Sequence, residues 1–224
     1  MIDRYILSAE KTILASRYGL EEDIDPIVTY NASPTHILPI IRNVSPSLLE
    51  PTYWGQSPEW SRNKKLSSKL YNAPISEAAS KRSLIIALKS RRCLVPATGF
   101  VVWNQLGKKT AVPYLYHLPD FRLFSMAGVW EDSVNMDEKG YQTFRLLTVN
   151  DNKLNIVSPV ILNEQNEKEW LAGSFSDDLE KAPTVTDFKA YSISPVINKN
   201  MKDNIEMIKH VPPVDQKGNY TLFG

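Results

Sequence analysis

The chain has 224 residues, a formal net charge of +1, 42% hydrophobic and 23% charged residues, and a single cysteine. That composition is ordinary for a globular domain and excludes a collagenous, low-complexity or polycationic chain. One thiol, Cys93, excludes an internal disulfide or a cysteine-based zinc site, and His36, His117 and His210 lack metal-ligand spacing, so neither metal nor cofactor is expected. Asp3, Arg4, Glu10 and Lys11 interrupt any signal-peptide apolar region. No apolar run approaches the ~18 residues of a membrane helix, and the expected location is cytoplasmic.

In chain order, Glu10 to Tyr18 is acidic first and basic last, which suits a short helix and its dipole. Pro26, Pro34, Pro39, Pro46, Pro51 and Pro58 each remove a backbone donor, which predicts loops and short extended pieces. Ser83 to Ser90 reads as an amphipathic helix capped by serine. Strands are expected at Cys93 to Trp103, Pro113 to Leu118, Arg122 to Trp130 and Tyr141 to Val149, where β-branched and aromatic residues are enriched. A helix over Glu164 to Gly173, a strand over Phe188 to Ser194 and a loop-like tail follow. No repeat or composition break divides the chain. The expected fold class is α+β, one domain over 1–224, built mainly on antiparallel sheet with flanking short helices.

Charge is uneven. Between Arg62 and Arg92 nine basic residues face one acid, Glu77, so that stretch carries net +8 and the remainder −7. Such a segment is either a solvated lysine-rich face or a surface for a polyanion, and composition alone favours the former.

Several islands share order and spacing with one family. They are Arg4; Tyr30-Asn31-Ala32-Ser33-Pro34-Thr35; Trp54-Gly55 with Pro58 and Trp60; Asn72-Ala73; Arg91 to Ala97 followed by Gly99-Phe100 and Trp103; Ala127 to Glu131; and Pro159 to Leu162. Together they resemble the SOS-response-associated peptidase (SRAP) family. The resemblance implies a barrel-like sheet and a basic groove for single-stranded or junction DNA, in a DNA damage response. It also implies a self-crosslinking reaction at abasic sites. In that chemistry an N-terminal cysteine, exposed by loss of the initiator methionine, captures the opened sugar as a thiazolidine, and a glutamate and a histidine move protons. Here the three positions hold Ile2, Val102 and Asn155, and the arginine of the family's Asn-Ala-Arg is Pro74. Isoleucine offers no nucleophile, valine moves no proton, and asparagine does not titrate. The bulk of Ile2 also predicts that Met1 stays in place.

The expected DNA-contacting residues are Arg4, Asn31, Trp54, Trp60, Asn72, Arg91 and Arg92. Trp54 and Trp60 read equally as base-stacking platforms or core. Arg91 and Arg92 read equally as phosphate contacts or caps on the preceding helix. Asn72 either bonds the backbone near an abasic sugar or forms a turn. Cys93, Trp103 and Trp130 read as core, and His36 and His117 as surface or satisfied core groups. The leading reading is a non-catalytic DNA-binding module. One alternative is residual enzyme chemistry, through a Schiff base on the Met1 amine with β-elimination or through autopeptidase activity. The other is a scaffold whose groove takes a protein or small ligand. A basic open groove beside Ile2, Asn72, Val102 and Asn155 favours DNA; a closed or acidic one favours the scaffold.

Overall fold

The computed structural model describes residues 2–21, 28–55, 70–78, 80–107, 109–134, 140–152, 155–174, 187–198 and 203–221. Trp60 and the basic residues Arg62, Lys64, Lys65 and Lys69 lie outside them. The strands are β1 (Arg4–Leu7), β2 (Thr29–Ala32), β3 (Ile37–Arg42), β4 (Ser45–Trp54), β5 (Asn72–Pro74), β6 (Arg92–Ala97), β7 (Gly99–Gly107), β8 (Thr110–His117), β9 (Phe124–Val134), β10 (Gly140–Asp151), β11 (Ile156–Pro159), β12 (Ile161–Leu162) and β13 (Lys189–Ser192). The α-helices are α1 (Lys11–Tyr18), α2 (Arg82–Ser90) and α3 (Glu164–Ala172).

Five strands form one antiparallel sheet in the order β13-β8-β7-β1-β2. In the second sheet β3 pairs with β4 and β6, β6 with β9, β9 with β10, and β10 with β4, so these five close into a ring. Closure leaves those strands no free edge toward one another. The β4–β10 pairing is parallel, as is that of β5 on β10; the others in the ring are antiparallel. The expected α+β class with a barrel-like sheet is what the chain adopts.

Three expectations change. The segment Cys93 to Trp103 is two strands, not one: β6 belongs to the ring and β7 to the other sheet, with buried Thr98 between them. The proline-rich stretch contains the six-residue β3 and the ten-residue β4. Pro39 and Pro51 face each other in register, so both missing donors fall on one rung. An antiparallel ladder has alternate rungs that exchange no hydrogen bonds, and such a rung tolerates two prolines. The helix before Arg91 also starts without a serine cap: Lys81 is its N-cap residue and no side chain bonds there.

A buried cluster containing Ile2, Tyr5, Trp54, Phe100, Val102, Phe124 and Phe144 fills the space between the two sheets. A second, with Ile41, Leu84, Leu94, Leu147 and Trp170, lies under α2 and α3. Buried Glu167 of α3 takes two hydrogen bonds from Arg17 of α1, at 3.0 and 2.7 Å, and ties those helices together.

Candidate DNA-binding site

The N-terminal strand organises the site. β1 lies between β2 and β7, with Arg4 opposite Val101 and Tyr5 opposite Phe100. Ile2, just before it, is fully buried. β5 runs beside β10, with Asn72 opposite Leu146. From there the Asn72 side-chain amide donates to the Ile2 carbonyl at 2.6 Å, while its Oδ1 is buried with no partner among the described residues. Val102 of β7 is buried in the same cluster as Ile2. Asn155 is exposed, with a left-handed φ of 52°, and the next residue, Ile156, packs on that cluster. Ile2 thus meets Asn72 through a hydrogen bond and shares a buried cluster with Val102, and two of these three are apolar and packed.

Asp3 and Arg4 border this place. Burial raises the Asp3 carboxyl above its usual range and outweighs the charge of Arg4. Arg4 donates from Nη1 to the Asp3 carbonyl at 2.6 Å, and its Nε is buried with no partner among the described residues. His36 bonds Ser33 at 3.0 Å; burial, and secondarily the charge of Arg4, lowers its pKa. Neutral His36 adds no positive charge near neutral pH.

The remaining predicted contacts divide sharply. Trp54 is a core residue. Its ring is fully buried, stacks on Phe144 at 6.3 Å and meets Tyr5 edge-on, and its indole N–H donates to the Tyr71 carbonyl at 2.9 Å. No face of it is open to a base, so its part in the site is to hold the chain just before Asn72. Asn31 is buried too and donates to the Ile197 carbonyl at 3.3 Å. Arg92 clamps the interior: Nε donates to the Leu88 carbonyl at the end of α2, Nη1 to the Trp170 carbonyl at 3.2 Å, and the guanidinium lies 5.0 Å from the Trp170 ring. That is the capping alternative. Arg91 is half-buried beside Trp130, 5.9 Å from its ring, and its guanidinium makes no hydrogen bond or ion pair among the described residues. Trp130 is buried, and its indole bonds Asn43 at 3.0 Å. His117 is buried, with Nδ1 2.8 Å from the Leu118 carbonyl. Cys93 is fully buried, and burial pushes its thiol far above the range in which a thiolate forms.

Beside Asn72 opens a groove of about 1070 Å³, walled by β5, β10 and the residues leading into α2. Its lining includes Ser76, Ser83, Thr143, Thr148 and Asn150, together with Glu77, Lys81, Glu131 and Arg145. The two described bases are matched by the two acids: Lys81 pairs with Glu77, and Arg145 with Glu131. The described groove is therefore open but neutral rather than basic. Sequence reading passed over Arg145. The available signal was a lone charge inside the apolar run Phe144-Arg145-Leu146-Leu147, where a buried charge demands a partner.

The profile of the SOS response associated peptidase (SRAP) family matches residues 1–200. The chain belongs to the SRAP family. Among its relatives, the abasic site processing protein YoqW of Bacillus subtilis is 29% identical over 222 residues, covering 93% of this chain and 99% of that protein. YobE of the same organism, also named an abasic site processing protein, is 31% identical over 180 residues, 76% and 82% of the two chains. The mouse abasic site processing protein HMCES is 29% identical over 136 residues, 54% of this chain and 38% of its own length. Solved structures share the fold. A protein from Bacteroides thetaiotaomicron matches with a TM-score of 0.72 at 23% identity, over 93% of this chain and 99% of that one. One from Bordetella bronchiseptica matches at 0.70 and 20%, over 86% and 99%. Within this SRAP chain, no helix among the described residues is long and apolar enough to cross a membrane.

Proposed function

We propose that this SRAP chain binds single-stranded or junction DNA in DNA damage processing and forms no covalent bond with it. The observation that carries the reading is Ile2: an inert, fully buried side chain stands where the family resemblance implies a cysteine, and its carbonyl is held by Asn72. Val102 supplies no base, and buried Cys93 offers no displaced nucleophile. The relatives named abasic site processing proteins support DNA as the partner. Arg4, Arg91 and Asn72 are the contacts this reading keeps, with Trp60 as its stacking residue. It takes residues 1–224 as one domain, supported by the Ile193–His210 bridge and by Asp203, whose carboxylate accepts from the Tyr30 N–H.

The test has two arms. Abasic single-stranded DNA, incubated with the protein with and without borohydride, should give no adduct on a denaturing gel; a heat-stable band, or a trapped Schiff base, would show retained chemistry. Fluorescence anisotropy should show binding that weakens with salt. Two phosphate contacts, from Arg4 and Arg91, correspond to a slope of about −1.4 in log K against log salt.

A second reading, a scaffold for a protein or small ligand, is favoured by the pairing of every described charge in the groove. Absence of DNA binding at low salt would select it.

A further inference from the structure

The groove holds an arginine with unused hydrogen-bonding capacity. Arg145 is only 9% exposed. A guanidinium carries five N–H donors. Among the described residues only Nη2 is engaged, by the Glu131 carboxylate, and the buried Nε has no partner. A charge taken so far out of water is costly unless its donors are met. Its partner sits nearer the solvent, with 26% of the Glu131 side chain exposed against 11% for Arg145.

Position gives the arrangement its meaning. Arg145 lies opposite Val129 in the β9–β10 ladder, and Glu131 opposite Thr143, so the pair is diagonal on one face of adjacent strands. The next residue, Leu146, faces Asn72, whose amide holds the Ile2 carbonyl. The planar fork of arginine matches phosphate oxygens in pairs. A phosphate at this point would lie in the groove that Arg145 and Asn72 both line, on the sheet face opposite the one Leu146 shares with Ile2.

We propose that Arg145 is a phosphate receptor for single-stranded DNA in this groove and that Glu131 restrains it, competing with the phosphate for the same guanidinium. This rests on the DNA-binding reading above and adds a residue and a brake to it. A phosphate that takes the fork must displace the carboxylate or share the arginine with it, so the wild-type protein holds DNA less tightly at this point than its positive charge alone would allow.

The test is Glu131→Gln, which keeps an oxygen acceptor for Arg145 and removes the competing charge. With a fluorescein-labelled oligothymidylate as probe, E131Q should bind more tightly than wild type, and its salt slope should steepen by about 0.7, the increment of one phosphate contact on a single strand. Between about 50 and 200 mM salt, that increment makes the advantage of E131Q shrink about threefold. Arg145→Met in the native background should weaken binding, and E131Q/R145M should lose the gain; thermal melts establish that each variant is folded. Glu206→Gln, the same charge change at an exposed residue away from the groove, should match wild type. Wild-type binding that E131Q leaves unchanged in affinity and slope overturns this proposal and spares the DNA-binding reading. So does a gain that survives in E131Q/R145M or appears equally in E206Q. Failure of both wild type and E131Q to bind at low salt overturns both.

Discussion

Two sets of arginines share this fold, and they differ in how completely their donors are used. Arg17, Arg42 and Arg92 each engage at least two nitrogens. Arg17 meets both oxygens of Glu167, Arg42 both oxygens of Glu50 while lying 4.8 Å from the Trp130 ring, and Arg92 two main-chain carbonyls beside Trp170. Arg4 and Arg145 each engage one, and each leaves a buried Nε without a partner among the described residues. The first set joins helices and strands to one another. The second set borders Ile2 and the groove. Positive charge in a sequence is thus a poor guide to binding until its partners are known, because an arginine saturated by its own protein has little left for a phosphate.

The largest effect should come from breaking a saturated pair. Arg17→Ala leaves the Glu167 carboxylate, 5% exposed, without its two donors. Stranding a buried charge in this way costs about 3–5 kcal/mol. Denaturant unfolding should show a loss of that order with the salt dependence of DNA binding unchanged. A loss under about 1 kcal/mol would mean that water reaches Glu167 and that the two sets are not distinct.

Arg92→Ala comes next. It removes two bonds from a charged donor to carbonyls at the ends of α2 and α3, and bonds to charged groups contribute about 1.5–3 kcal/mol each when a partner is lost. Part of that returns as water reaches the freed carbonyls, so a total near 2 kcal/mol is expected. The salt slope should stay at its wild-type value, whereas Arg91→Ala should flatten it by about 0.7 with little change in stability. A flattened slope for R92A would move Arg92 into the binding set.

How much of this was legible in the sequence depended on how local its causes were. The strands from Arg92 to Asp151 announce themselves through β-branched and aromatic content, apart from the break at Thr98, and α1 and α3 through length and composition. The β3–β4 pair did not, because a single proline argues against a strand while two prolines on one rung do not. The closed ring was implied only by family resemblance, since the parallel β4–β10 contact joins residues about ninety positions apart. The nearness of Asn72 to Ile2 was likewise legible through resemblance and not through spacing. Trp54 could not be placed because a tryptophan serves equally as platform or core, and only packing against Tyr5 and Phe144 decides. Arg92 was ambiguous for the same reason: one of its carbonyl partners comes from Trp170, distant in sequence.

The smallest effect tests whether the Arg42–Glu50 pair is as saturated as its geometry indicates. Burial opposes ionisation of Glu50, but hydrogen bonds from Arg42 and Ser45 and the charge of Arg42 prevail, so its carboxyl lies below its ordinary range. In the unfolded chain a glutamate titrates near ~4.3. A depressed folded value means that the folded state holds the proton less tightly than the unfolded one. The stability this supplies is fully present above the unfolded value and is lost as pH falls through the folded one. Wild-type stability should therefore decline from about pH 5 downward. Glu50→Gln cannot titrate but keeps one oxygen acceptor, so it should be less stable at pH 7 by about 1 kcal/mol, the net contribution of one ordinary hydrogen bond. The gap should narrow as the solution is acidified. Melting curves of the two proteins across that range read the effect directly. A gap that stays constant with pH would show that Glu50 contributes through packing alone and would return Arg42 to the set of arginines with charge to spare.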